Sequence, residues 1–357
     1  MKKSLIAFAV LSAFASAASA QSSVVLYGII DTSTSIMSNQ TAAGGKKLSM
    51  ENSNLTPSRW GIKGSEELSD GMKANFNLES SLNVDTGMTG AAGSSLFDRT
   101  ATIGLSGAFG SFNAGRQTSL AYDTIIQVDP TGFAHLGSNP NVQLGAMGNA
   151  MYNTHGSSNG ATAAARQNNS IKYTFPSVLG GVSFAAMYGF GEKAGDTIAS
   201  SYAGASASYS ENGMTAVFSY GQMRDAANNS TLRSYTGGVK LAAGTDWTVK
   251  VSYSENEVNV STRTISVFGV GADYALSPTT TLTGAYYANR RSGDMQGKAD
   301  QFVGIAKYAF SKRTSVYASV SYAKADTVQA KDTDMGLFIG AGNKTATRTV
   351  VGLSHAF

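Results

Sequence analysis

The chain contains no cysteine, which excludes a disulfide framework and any thiolate metal site. Charge is scarce at 14% of 357 residues, and proline occurs only 5 times. Beyond the N-terminal segment no run of 18 apolar residues exists, so no helix can cross roughly 30 Å of hydrocarbon. Convincing amphipathic helices are also missing, although a soluble domain of this length would usually show several. With only 3 histidines, His135, His155 and His355, a Ser–His–acid site has little to be built from.

What the chain does have begins with residues 1–20. Lys2 and Lys3, an apolar core over 5–14 and the small residues Ala18, Ser19 and Ala20 together read as a cleaved secretory signal, with the mature chain starting at Gln21. Losing the two lysines lowers the formal charge from +4 to +2, so the basic pI is no argument for nucleic acid.

From Ser23 onward the recurring pattern is alternation. In Lys73-Ala74-Asn75-Phe76-Asn77-Leu78-Glu79 the polar and apolar residues fall on opposite faces, and Arg59–Lys63, 166–175 and 314–325 repeat this. Strict period 2 means a sheet with one apolar and one polar face. Sixteen such segments are expected: 23–35, 57–65, 72–85, 97–107, 111–117, 167–175, 181–190, 200–210, 213–222, 231–241, 246–256, 264–275, 279–289, 300–310, 314–325 and 346–357.

The connections between them alternate in length. Odd-numbered ones are long, while even-numbered ones, such as 66–71, 107–110, 176–180 and 211–212, are short turns of Gly, Asn, Asp or Pro. That is the signature of an all-β transmembrane antiparallel barrel of 16 strands with both termini on one side. A soluble β-sandwich explains neither the loop alternation nor the aromatics at segment ends (Tyr27, Trp60, Phe97, Tyr188, Phe190, Tyr220, Trp247, Tyr274, Tyr287, Phe310, Tyr322), where an interfacial girdle is expected.

One connection stands apart. Residues 118–165 carry six glycines, Pro130, Pro140, His135 and His155 without sustained periodicity, yet also Ile125, Ile126, Val128, Phe133, Leu136, Val142, Leu144, Met147, Met151 and Tyr152. A loop this long is usually functional or disordered. Its apolar content requires packing, and the lumen of the barrel is the place for it.

Seven pieces in order resemble the general porins of beta-proteobacteria, over essentially the whole mature length. They are Leu26-Tyr27-Gly28; Ser58-Arg59-Trp60-Gly61-Ile62-Lys63-Gly64-Ser65-Glu66; Asp70-Gly71-Met72-Lys73-Ala74; and Gly104-Leu105-Ser106-Gly107-Ala108-Phe109-Gly110. The others are Gly115-Arg116-Gln117, Arg166-Gln167-Asn168-Asn169-Ser170-Ile171-Lys172-Tyr173, and the terminal Val351-Gly352-Leu353-Ser354-His355-Ala356-Phe357. The resemblance implies a homotrimer of 16-stranded barrels in the outer membrane of a Gram-negative bacterium, each pore narrowed by its third loop, here 118–165. It also implies contact with outer-membrane lipid and lipopolysaccharide, and recognition of the terminal Phe357 by the barrel assembly machinery.

A wide 16-stranded barrel leaves an aqueous channel, and charged rings at its constriction set ion preference. Arg59 and Lys63 share the polar phase of the second segment with Gly61, and Arg166 is in phase with Ser170, Lys172 and Thr174, so all three are expected to face water. Parity leaves Arg99 and Arg116 open, because they fall in register with Ala101, Ile103 and Leu105, and with Phe112 and Ala114. The resemblance implies arginines at the positions of Arg59, Arg99 and Arg166 on the wall opposite the third loop, with Arg116 as a further candidate. Asp123 and Asp129 are the only carboxylates of 118–165, and Glu79 adds one from the wall. This distribution predicts a transverse field and passive diffusion of ions and small hydrophilic solutes with a preference for anions.

Two other readings stay open: a channel specific for a sugar or organic anion, with Phe133 and Tyr152 as fragments of an aromatic track, and a purely adhesive barrel. No cofactor is expected. His135 and His155 lack the spacing of a metal site, and Asp332 and Asp334 are weak candidates for calcium.

Overall fold

The period-2 segments need partners on both edges, because an unpaired backbone group has no water to turn to inside a bilayer. The computed structural model supplies them in one antiparallel sheet that closes on itself. It describes residues 23–90, 95–134, 164–177, 180–293, 296–329, 332, 334, 335 and 338–357. The expected signal segment, His135, His155, Tyr152 and the apolar residues Leu136, Val142, Leu144, Met147 and Met151 lie outside the described residues.

Among the described residues there are seventeen strands: β1 Ser23–Met37, β2 Lys47–Asn52, β3 Arg59–Glu67, β4 Lys73–Ser81, β5 Thr100–Gly107, β6 Gly110–Thr118, β7 Arg166–Thr174, β8 Val182–Gly189 and β9 Tyr202–Glu211. The rest are β10 Met214–Arg224, β11 Thr231–Ala243, β12 Trp247–Val258, β13 Thr264–Ser277, β14 Thr280–Ser292, β15 Gly297–Ala309, β16 Thr314–Ala325 and β17 Thr345–Ala356. Each strand pairs with its sequence neighbour, except that β2 and β3 both pair with β1 and not with each other, and β17 closes on β1 from Ile29↔Ala356 to Met37↔Arg348. Beyond that ladder Gly28 and Phe357 exchange both backbone hydrogen bonds, at 3.1 and 3.0 Å, so the last residue is tied into the seam.

Seventeen strands fill sixteen wall positions. The lower half of β1 pairs with β3 and its upper half with β2, so β2 and β3 share one place in the wall. Sequence reading assigned 36–56 wholly to a loop. In β2, however, Leu48 and Met50 alternate with Ser49 and Glu51, and that signal was available. It is short, and 53–58 break it from β3.

The wall faces two solvents. Phe218, Phe302, Val320 and Val351 expose between 52% and 62% of their surface outward, while Val217, Val303 and Val350 on the opposite phase are buried inside. An outward apolar band of this extent is unfavourable in water and favourable in hydrocarbon. Tight turns such as Ala108–Phe109 and Asn212–Gly213 gather at one end, and the long connections at the other.

The long loop is not structureless. Leu120–Val128 forms a nine-residue helix, α1, which periodicity did not reveal. Ser119 caps it, its Oγ accepting from the Tyr122 N–H at 3.3 Å and donating to the Ala164 carbonyl at 2.6 Å. The helix buries Leu120, Ala121, Tyr122, Thr124, Ile125 and Val128 on one broad face and turns Asp123, Ile126 and Gln127 away from it; over nine residues, with Thr124 inside the stripe and Ile126 outside it, the pattern is too brief to stand out in the sequence. It lies inside the barrel against β10 and β11.

Candidate functional site

The lumen is narrowed by two opposed structures, and the residues that build each can be taken in turn. On one side the helix is fixed to the wall. Tyr122, Ile125, Val128, Phe133 and Ala165 form a buried cluster with Val217 of β10. Just past the helix, Asp129 Oδ1 accepts from the Thr131 N–H at 3.0 Å and the Phe133 N–H at 2.9 Å, and Tyr287 of β14 donates its hydroxyl to Oδ2 at 3.1 Å. Lys250 of β12 donates to the Pro130 carbonyl at 3.2 Å and pairs with Asp273 at 2.8 Å.

On the other side stands a basic wall. Glu79 of β4 lies between two guanidiniums, with Arg99 Nε at 2.6 Å from Oε1 and Arg59 Nε at 3.5 Å from Oε2, and Tyr27 donates its hydroxyl to Oε2 at 3.0 Å. Arg166 Nε donates to the Arg99 carbonyl at 3.0 Å, and its guanidinium sits 5.4 Å from the centre of the Tyr122 ring, a cation–π contact that joins wall and helix. Arg116 donates from Nε to the Asp98 carbonyl at 2.7 Å and from Nη1 to the Asn168 side chain. Lys63 lies lower on β3, its Nζ 5.0 Å over the Tyr27 ring.

The five basic residues named from sequence therefore fall on neighbouring strands of one wall, and the two that parity left open have physical explanations. Arg99 precedes β5 and so is not bound by strand alternation. Arg116 sits at a bulge, where the register with β7 shifts between Gly115 and Gln117. Gly115 adopts φ +122°, and a Cβ there would lie 2.1 Å from the Ala101 carbonyl oxygen, so only glycine permits this re-aiming.

The acidic residues depart from expectation. Asp129 is buried and does not face the channel; its N–H and tyrosine partners hold the turn that follows α1, a better environment for a carboxylate than a bare lumen wall. Glu79 stands among the arginines rather than across from them. Asp123, in the first turn of α1, is taken up by Lys172 of β7 at 2.6 Å and by the Thr118 hydroxyl. Lys172 was legible as a polar-phase residue but its bridging role was not, since it depends on where the helix begins. Asp332 accepts from the Lys298 N–H at 2.7 Å and from the Thr327 hydroxyl, and no cluster of three or more His, Cys, Asp or Glu that could hold a metal occurs among the described residues. Tyr287, expected from its place at a segment end to lie in the interfacial girdle, is instead fully buried and turned inward, where its hydroxyl donates to Asp129. Tyr122, the other aromatic anchor of the helix, was not singled out by sequence reading, because nothing in a strand's alternation marks the loop residue that will meet the wall.

Comparison with known proteins agrees with this fold. The Gram-negative porin family model matches residues 7–328. The chain is 31% identical to outer membrane porin protein 32 of Delftia acidovorans over the full length of both. It is 38% identical to an outer membrane porin protein of Bordetella pertussis over 165 residues, 43% of each chain. Among solved structures it is similar to an anion-selective porin from Comamonas acidovorans, with a TM-score of 0.77 at 23% identity, covering 94% of this chain and 100% of that one. The trimer form of OmpT of Vibrio cholerae gives 0.68 at 16%, covering 94% and 99%. With the family model spanning most of its length and a relative matched end to end, this chain belongs to the Gram-negative porin family, the outer-membrane β-barrels that act as channels for passive diffusion.

Proposed function

We propose that the barrel, exported by a signal cleaved after Ala20, works as a homotrimer whose pores prefer anions. One observation carries the charge preference: four guanidiniums stand on one side of the constriction against two carboxylates, Glu79 between Arg59 and Arg99 and Asp98 held by Ser81, while the acids expected to oppose them are engaged elsewhere. An anion roughly 8 Å from one arginine gains about 0.5 kcal/mol at the dielectric constant of water and about 2 kcal/mol at an effective value near 20. Several such contributions of one sign are enough to order anions before cations at a narrow point. The anion-selective relative and the trimeric neighbour support the same reading for this chain.

The test is the reversal potential of the reconstituted protein in a planar bilayer under a salt gradient. The wild type is expected to give an anion-sided potential. Arg59→Gln, Arg99→Gln and Arg166→Gln are each expected to move it toward zero. Arg59 has the largest effect, because its side chain is 25% exposed against 10% for Arg99. A cation-sided wild type, or three variants indistinguishable from it, overturns the charge assignment.

A further inference from the structure

The break between β2 and β3 is a built feature. Thr32 pairs with Asn52 and Ile29 with Arg59, so only Ile30 and Asp31 of β1 face the six residues 53–58. The four surplus residues leave the wall toward the lumen. Leu55 packs against the inward cluster of Val267, Tyr287, Val303 and Ile305, the same patch on which Ala134 of the long loop rests.

Asp31 holds this excursion in place. Its carboxylate is buried and its Oδ1 accepts from the Asn54 N–H at 2.9 Å, the Leu55 N–H at 3.3 Å and the Tyr317 hydroxyl at 2.8 Å. The Ser58 hydroxyl substitutes for the missing ladder partner, accepting from the Asp31 N–H at 2.9 Å and donating to its carbonyl at 3.0 Å, while the Ser53 N–H donates to that carbonyl at 3.0 Å. Tyr317 reaches β1 by laying its ring across β17 at Gly352, where a Cβ would stand 2.3 Å from the ring. The arrangement repeats that of the long loop, in which Asp129 gathers backbone N–H groups and Tyr287 anchors it to β14. Two lumen segments are thus latched by one device, a buried carboxylate joined to a wall tyrosine.

We propose that residues 53–58 are a second constriction element, latched by Asp31 and Tyr317, which sets the free width of the channel together with the loop carrying α1. The inference rests on the channel reading and adds to it a width-determining segment outside the third loop. Deleting residues 54–57 is the direct test, because it leaves Ser53 opposite Asp31 and Ser58 opposite Ile30 and so completes the ladder. The deleted barrel, shown to be folded by its heat-modifiable electrophoretic mobility, is expected to conduct on the order of 1.5-fold more than wild type and to admit larger neutral polyethylene glycols, with a reversal potential of unchanged sign. A folded barrel with wild-type conductance and polymer cut-off overturns the proposal. Tyr317→Phe keeps chain length, ring and charge, and is expected to give a trace that flickers between the wild-type level and a larger one. A quiet, wild-type trace from it rejects the latch, including the case in which the deletion does not fold. A wild type that carries no current would instead overturn the channel reading itself.

Discussion

Carboxylates in this lumen are told apart by what they touch. Glu79 bonds two arginines and modulates the basic wall, whereas Asp129 bonds backbone N–H groups and a tyrosine and holds a turn. The two types of acid should respond differently to loss of charge. Asp129→Asn is expected to shift the reversal potential less than Arg59→Gln does, although both remove one charge. Asp129→Ala should cost about 1–3 kcal/mol for each buried donor left without an acceptor, seen as a lower thermal midpoint of the refolded barrel. A shift from Asp129→Asn equal to that of Arg59→Gln would mean that Asp129 faces the ion path after all. Sequence reading could place Arg59 and Lys63 because their side chains obey strand alternation, whereas Arg166 is separated from Ser170 by an extra residue of β7, so the alternation used for it is interrupted there. It could not rank the acids, since their partners are donated by Tyr287, Arg99 and Lys172, residues remote in sequence or on another element.

At the scale of elements, sixteen alternating segments were legible because each wall strand repeats the same two-residue rule, and the barrel architecture follows from that rule and the loop lengths. The two elements that escaped are the two that violate it. Helix α1 is too short for its buried face to stand out, with Thr124 inside that face and Ile126 outside it, and β2 is cut from its continuation by the surplus at 53–58. Helix α1 depends on local chemistry that can be tested alone. Ser119→Ala removes the acceptor for the Tyr122 N–H and the donor to Ala164, and loss of such a cap typically costs about 1 kcal/mol. The first-turn amides of α1 are then expected to exchange about five-fold faster in lipid-reconstituted protein, with the wall strands unchanged. Uniform acceleration across the barrel, or none at α1, would contradict a local capping role.

For the molecule as a whole, the two faces of one sheet divide the work. The outward apolar band places the barrel in hydrocarbon, and the closed ladder leaves no backbone edge for lipid to meet. The inner face then carries water past a charged wall, and its selectivity must depend on how far that charge is felt. The Debye length falls from about 10 Å at 0.1 M to about 3 Å at 1 M salt. The basic wall is a cluster rather than a ring filling the lumen, so an ion on the side of the lumen away from it is reached only when screening is weak. The anion preference is therefore expected to decline steadily as salt is raised over that range at a fixed concentration ratio, while conductance continues to grow with ion concentration. Measuring the reversal potential across such a series separates a field effect from a binding site. A preference that persists undiminished at 1 M would indicate direct coordination of anions by the arginines, and one absent at 0.1 M would mean that Glu79 and the helix neutralise the wall.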